Sequence, residues 1–118
     1  MEMSDKVTVK VLLNQVSRFM PYSAGDALVQ ALAFETGFPA CGSVERLLNI
    51  VFEQLNIDEP QADWAVRYRA ERNRSLSVGD VVVVGEQAWA VERWGFTPVS
   101  VAAHQVWYDM GEVEEITK

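Results

Sequence analysis

Residues 72–96, RNRSLSVGDVVVVGEQAWAVERWGF, restrict the fold of this chain more than any other stretch. In Ser77-Val78-Gly79-Asp80 the glycine occupies the third position of a four-residue turn. A positive φ is demanded there, and glycine adopts it without a steric penalty. Ser77 and Asp80 are the residue types that hydrogen-bond nearby backbone N–H groups and so fix such a turn. Four valines follow, Val81 to Val84, apolar on both faces. A strand of that kind is central in its sheet or covered on both sides. Gly85-Glu86-Gln87 turns the chain and AWAVERW returns antiparallel, which predicts a hairpin with strands at 80–85 and 87–94.

The remaining elements are read from periodicity. KVTVKVLL (6–13) alternates Val7, Val9, Val11 and Leu13 against Lys6, Thr8 and Lys10, a strand with one buried face. Pro21 and Gly25 make 14–25 a loop, whose Phe19, Met20 and Tyr22 are expected to cover the edge of the core. DALVQALAFETG (26–37) reads as a helix, with Asp26 as N-cap, Leu28, Ala31, Leu32 and Glu35 on one face, and Gly37 as C-cap. SVERLLNIVFEQLN (43–56) carries Val44, Leu47, Leu48, Val51, Phe52 and Leu55 at helical spacing, behind a Ser43 cap with Glu45 in the first turn. Pro60 stops it. ADWAVRYR (62–69) alternates Trp64, Val66 and Tyr68 against Ala65, Arg67 and Arg69, so a strand is expected. From 97 onward the pattern supports either a helix, with Val99, Ala102, Ala103, Val106, Trp107 and Met110 in phase, or a short strand at TPVSV. Residues 111–118 form an acidic tail expected to fray. The expectation is a single α+β domain, 1–118, with a mostly antiparallel sheet of about four strands packed on two helices.

A chain of 118 residues has room for one core. Its 49% apolar and 23% charged residues place it among folded rather than disordered sequences. The net charge of −7 works against nucleic acid and anionic membranes and favours a basic partner. The lone cysteine, Cys41, precludes an internal disulfide and fits a reducing cytoplasm. No signal peptide and no apolar run long enough to span a bilayer is present, so a cytoplasmic protein without membrane contact is expected.

Few residues suggest chemistry. His104 is the only histidine, too little for a structural zinc site. A Cys41–His104 nucleophile–base pair lacks a third orienting group, and Cys41 in FPACGS reads as a small packed thiol. GDVVVVGE lacks the Lys-Ser/Thr of a phosphate-binding loop. Asp58-Glu59 and Glu114-Glu115 read as solvated charge. The expectation is therefore no enzyme, no cofactor and no metal.

Arg67, Arg69, Arg72 and Arg74 concentrate four of the ten basic residues in eight positions. On a strand Arg67 and Arg69 would share a face, a local positive spot able to grip carboxylate or phosphate. The plainer reading is the solvent face of a half-buried strand. Trp89 and Trp94 join these arginines as candidate partner-binding residues, because tryptophan is enriched at interfaces. Ser77, Gly79 and Asp80 are assigned to the turn.

The hairpin resembles one found in small proteins of actinobacterial phages and plasmids, with the pattern Arg-Ser-x-Ser-Val-Gly-Asp-Val-Val and a return strand closing in Gly-Trp or Gly-Phe. The YodL-like domains of integrative mobile elements carry a similar hairpin. Arg74, Ser75, Ser77, Val78, Gly79, Asp80 and Val81 match in register, and ERLLNIVFEQLN fits the amphipathic helix found upstream. The match spans about 43–96, and this chain closes in Trp-Gly-Phe rather than the commoner Gly-Trp, a small departure. The resemblance implies an accessory protein of a mobile element, with no enzymatic reaction attached. A looser similarity joins the Gly-Asp-valine hairpin to SH3-like and PUA-like barrels, some of which bind RNA. The expected function is a non-catalytic interaction protein that binds a host or element-encoded protein, in a host-modulating or counter-defence role. Homodimerisation is compatible with the sequence. The competing reading is a small RNA- or DNA-binding module built on the arginines, with Tyr68, Trp89 or Trp94 as stacking surfaces. Generic nucleic acid is not the expected ligand.

Overall fold

The alternation at the start of the chain produces the strand it predicts: β1 (Lys6–Asn14) is the central organiser of the sheet, paired on both sides. The computed structural model describes residues 6–16, 20–37 and 43–108. In chain order the elements are β1, β2 (Leu28–Gly37), α1 (Val44–Asn56), α2 (Asp63–Ala70), β3 (Val81–Val84), β4 (Gln87–Val91), β5 (Phe96–Val99), a 3₁₀ turn (Ala103–Gln105) and β6 (Val106–Tyr108). The fold is α+β. Among the described residues six strands form one mixed sheet in the order β5-β4-β3-β1-β2-β6, with β6 running parallel to β2 and every other pair antiparallel. The expected sheet of about four antiparallel strands is therefore too small, and it draws on one wrong segment.

Two segments exchange roles relative to expectation. Residues 26–37 form no helix; Leu28–Gly37 are β2, paired along the whole of β1. The misreading has a local cause. Val11 pairs with Leu32 and Leu12 with Gln30, so Ala31 is an extra residue, a β-bulge. The bulge reverses the parity of the strand. Leu28 points into one core and Leu32 into the other, giving the four-residue apolar spacing that mimics a helix. Asp26 accordingly caps no helix.

Residues 62–69 form no strand. They belong to α2, which buries Ala65 and Tyr68, three apart, and leaves Val66 about half exposed. The alternation of Trp64, Val66 and Tyr68 is coincidental. Asp63 in the first turn and Arg67 and Arg69 in the last complement the helix dipole, a signal that favours the helix. The Gln54 side-chain oxygen accepts from the backbone N–H groups of Gln61 (2.8 Å) and Ala62 (3.0 Å), fastening the start of α2 to α1.

Helix α1 follows its sequence pattern. Ser43 Oγ accepts from the Arg46 N–H at 3.2 Å, and Leu47, Leu48, Val51 and Leu55 are buried. They pack with Tyr68 and Ala65 against Val9, Val11, Leu13, Leu32, Val82, Val84 and Val91 on one face of the sheet. The opposite face holds a smaller core of Leu12, Leu28, Val81, Ala88 and Ala90. It is covered by the connection from β5 to β6, which must cross the sheet because these strands lie at opposite edges. Both faces of the four-valine strand are therefore occupied, as the central position of β3 requires.

Candidate functional site

Among the described residues, the turn that launches β3 is the most densely bonded polar region. Gly79 has φ +97°, and a Cβ added there would run into the carbonyl oxygen of Met20. The Asp80 N–H closes the turn onto Ser77 O at 3.0 Å. Asp80 itself is 0% exposed, and both of its carboxylate oxygens are engaged. Oδ1 accepts from the Asn14 N–H (2.8 Å) and Arg74 Nη2 (2.8 Å). Oδ2 accepts from Arg74 Nη1 (2.7 Å), the Ser77 N–H (2.8 Å) and Ser77 Oγ (3.4 Å). The fork-on-fork pairing holds the Arg74 guanidinium above its ordinary pKa, chiefly through the hydrogen bond to Asp80.

The same network extends to the first loop. Asn14 Nδ2 donates to Asp26 Oδ2 and to Gly79 O, each at 3.0 Å, and Asp26 Oδ2 also accepts from the Ser23 N–H at 3.0 Å. On the other flank, Asn56 at the end of α1 clamps Leu76, accepting from its N–H at 2.7 Å and donating to its carbonyl at 3.0 Å. Tyr68 is buried and donates its hydroxyl to Arg74 O at 2.6 Å. Burial, then the nearby Asp80 charge, pushes its pKa upward. Two buried carboxylates close together suggest acid–base chemistry in principle. Here their hydrogen bonds go to local backbone and side-chain donors that hold the turn and the first loop, a structural use of carboxylate.

The arginines are dispersed by the helix that replaces the expected strand. Residues two apart on a helix point about 200° apart. Arg67 is exposed, whereas Arg69 donates to Ile57 O. Arg72 sits just beyond α2 with φ +66°, exposed to solvent. Arg74 is committed to Asp80. Thus two of the four guanidinium groups brace the fold, and Arg67 and Arg69 do not share a face as they would on a strand.

The aromatic candidates separate as well. Tyr68 is fully buried and offers no stacking surface. Trp89 packs against the helix-side core, with its Nε1 enclosed and without an acceptor among the described residues. Trp94 is 89% exposed at the tip of the β4–β5 hairpin, residues 92–95. That turn is closed by the Glu92 N–H bonding to Gly95 O at 2.9 Å, with Gly95 at φ +88°.

Topology gathers further apolar surface at that end. The β1–β2 loop, the turn before β3 and the β4–β5 hairpin all emerge from the same end of the antiparallel ladders. Val16 (62% exposed) and Met20 (59%) lie on the first of these loops, and Trp94 on the last. Arg93 is exposed beside Trp94. The sequence pointed to Trp94 but assigned Met20 to covering the core, and Val16 gave no signal because only tertiary structure leaves it uncovered.

His104 lies exposed on the 3₁₀ turn, while Cys41 and the tail 111–118 lie outside the described residues. Among the described residues no group of His, Cys, Asp or Glu is placed to hold a metal ion, and no helix is long and apolar enough to cross a membrane. The chain matches no protein-family model, no curated protein and no solved structure.

Proposed function

We propose that this chain is a non-catalytic interaction protein of a phage or plasmid accessory region, acting in the cytoplasm on a protein partner in a host-modulating or counter-defence role. The observation that carries the binding reading is Trp94: an indole almost wholly in solvent, on a turn already closed by its own hydrogen bond. Presenting a large ring on a preorganised turn lowers the ordering cost of association, and tryptophan is among the side chains that dominate interface energetics. Val16 and Met20 are further exposed apolar side chains on a loop at the same end of the sheet. The net charge of −7 favours a basic partner. The accessory setting is supported by the resemblance of the Arg74–Val81 turn.

Capture from the native host, quantified by mass spectrometry with wild-type protein and Trp94→Ala side by side, tests the reading. A basic protein retained by the wild type and lost from the variant is the expected result. If every captured protein is retained equally by Trp94→Ala, the reading fails. Among the described residues the nucleic-acid alternative keeps Arg67 and Arg72 of the four arginines as uncommitted cations. Fluorescence anisotropy with labelled DNA and RNA across a salt series is expected to show no binding at physiological salt. Micromolar binding that fades as salt rises, through counterion release, would favour that alternative.

A further inference from the structure

The strap that covers the second face of the sheet leaves a cleft beside it. This connection after β5 crosses that face toward β6, and the cleft of about 420 Å³ opens between it and the strands on the side of the β3–β4 turn. Leu12, Val83, Ala88, Val99 and Val106 line it with apolar surface. The strap is held in place. Tyr22 donates its hydroxyl to Ser100 O (3.1 Å), and Gln105 Nε2 donates to Tyr22 Oη and Asp26 O, each at 2.9 Å. The cleft is therefore preformed, and its volume lies in the range of small-molecule pockets.

Polar side chains line it as well: Gln87 and Ser100, with Gln87 Nε2 already donating to Ala88 O and Val99 O, and Lys10 from β1 and Gln30 from β2. Lys10 and Gln30 are near neighbours across the strand pair, since Leu12 is the partner of Gln30 and Lys10 lies two residues before it on the same face. Among the described residues neither the Lys10 ammonium nor the Gln30 amide has a hydrogen-bond or ion-pair partner. An ammonium beside an amide donor matches the two oxygens of a carboxylate. Glu86, exposed on the rim, opposes a second negative charge on a ligand.

We infer that this cleft binds a small monocarboxylate with an apolar tail, the carboxylate on Lys10 and Gln30 and the tail along Leu12, Val83 and Val106. The site is separate from the Trp94 end of the sheet, so it stands or falls independently of the proposed partner surface. The test is amide chemical-shift mapping of isotope-labelled protein titrated with octanoate, octanol and octylammonium, three probes with the same apolar tail. Octanoate is expected to give saturable shifts at the cleft residues, with octanol and octylammonium binding about tenfold or more weakly. Lys10→Met is expected to bring octanoate down to the level of octanol, and Gln30→Leu to weaken it less. Lys10 is only partly buried, and the variant's own spectrum reports its folding; should it fail to fold, the charge series on the wild type decides. Absent or non-saturable octanoate shifts, shifts mapping outside the cleft, octylammonium binding as tightly as octanoate, or undiminished octanoate binding by a folded Lys10→Met would each overturn the inference.

Discussion

Two turns flank the β3–β4 hairpin at the same end of the sheet, and they use their residues in opposite ways. In the turn at 75–80 the charged side chain is turned inward: Asp80 collects donors from Asn14, Arg74 and Ser77, and Gly79 makes room for the Met20 carbonyl. In the turn at 92–95 one backbone hydrogen bond closes the loop, and Arg93 and Trp94 point to solvent. The first turn is recognisable as a motif because folding consumes its side chains. The second can serve recognition because folding leaves its side chains free. A residue pattern can therefore describe how a chain is built without describing what it binds.

The strongest way to break this contrast is at Asp80. Asp80→Ala strips the Asn14 and Ser77 N–H groups of their acceptor and leaves Arg74 without its carboxylate. Uncompensated buried donors and broken buried pairs are expensive, so the expected loss is about 3 kcal/mol or more in denaturant unfolding. A loss under about 1 kcal/mol would remove the network from its structural role. Next in size is Gly79→Ala, which forces an L-residue to φ +97° and a methyl group against the Met20 carbonyl. About 2 kcal/mol is expected, read as a lowered midpoint in the same experiment. An unchanged midpoint would dissolve the turn assignment.

The same contrast explains what could be read in advance. β1, α1 and the β3–β4 hairpin were legible because each has one strong local cause: period-two valines, a capped apolar stripe, and a glycine turn ahead of four valines. β2 was not, because the bulge at Ala31 splits its apolar residues between two cores, and only pairing with β1 reveals the extra residue. α2 is short enough for an accidental alternation to outweigh its polar ends. The exposure of Val16 and Met20 and the cleft under the strap both depend on how distant segments meet. Local periodicity carries none of that information.

A smaller effect sharpens the contrast through pH. Tyr68 ionises less readily in the fold than in the unfolded chain, because its ring is buried and Asp80 is near. Above pH about 10, where a free tyrosine loses its proton, the unfolded state binds fewer protons than the native one. Stability is thus full below that pH and declines as pH rises beyond it, by at most about 1.4 kcal/mol per pH unit from this group. Tyr68→Phe should cost about 1 kcal/mol at neutral pH through the lost bond to Arg74 O, and should flatten the alkaline decline. An alkaline slope identical in wild type and variant would show that Tyr68 is not the group responsible.

The smallest expected change in stability is at Trp94, and it is the most informative. With 89% of its surface in solvent, the indole contributes little apolar burial to lose, so Trp94→Ala should shift unfolding by no more than about 0.5 kcal/mol. The backbone bond that closes the turn, from the Glu92 N–H to Gly95 O, involves no Trp94 side-chain atom and should persist. Acrylamide quenching gives an independent check. Trp94 and Trp107 are the exposed indoles, whereas Trp64 is stacked on Phe34 and Trp89 packs in the core. The variant should therefore lose a large share of the quenchable fluorescence while retaining its cooperative unfolding. A loss of stability near that of Gly79→Ala would mean that the indole is packed after all, and the two turns would no longer differ in kind. A near-silent change in stability, coupled to loss of the captured partner, would identify Trp94 as a side chain that the fold displays without needing it.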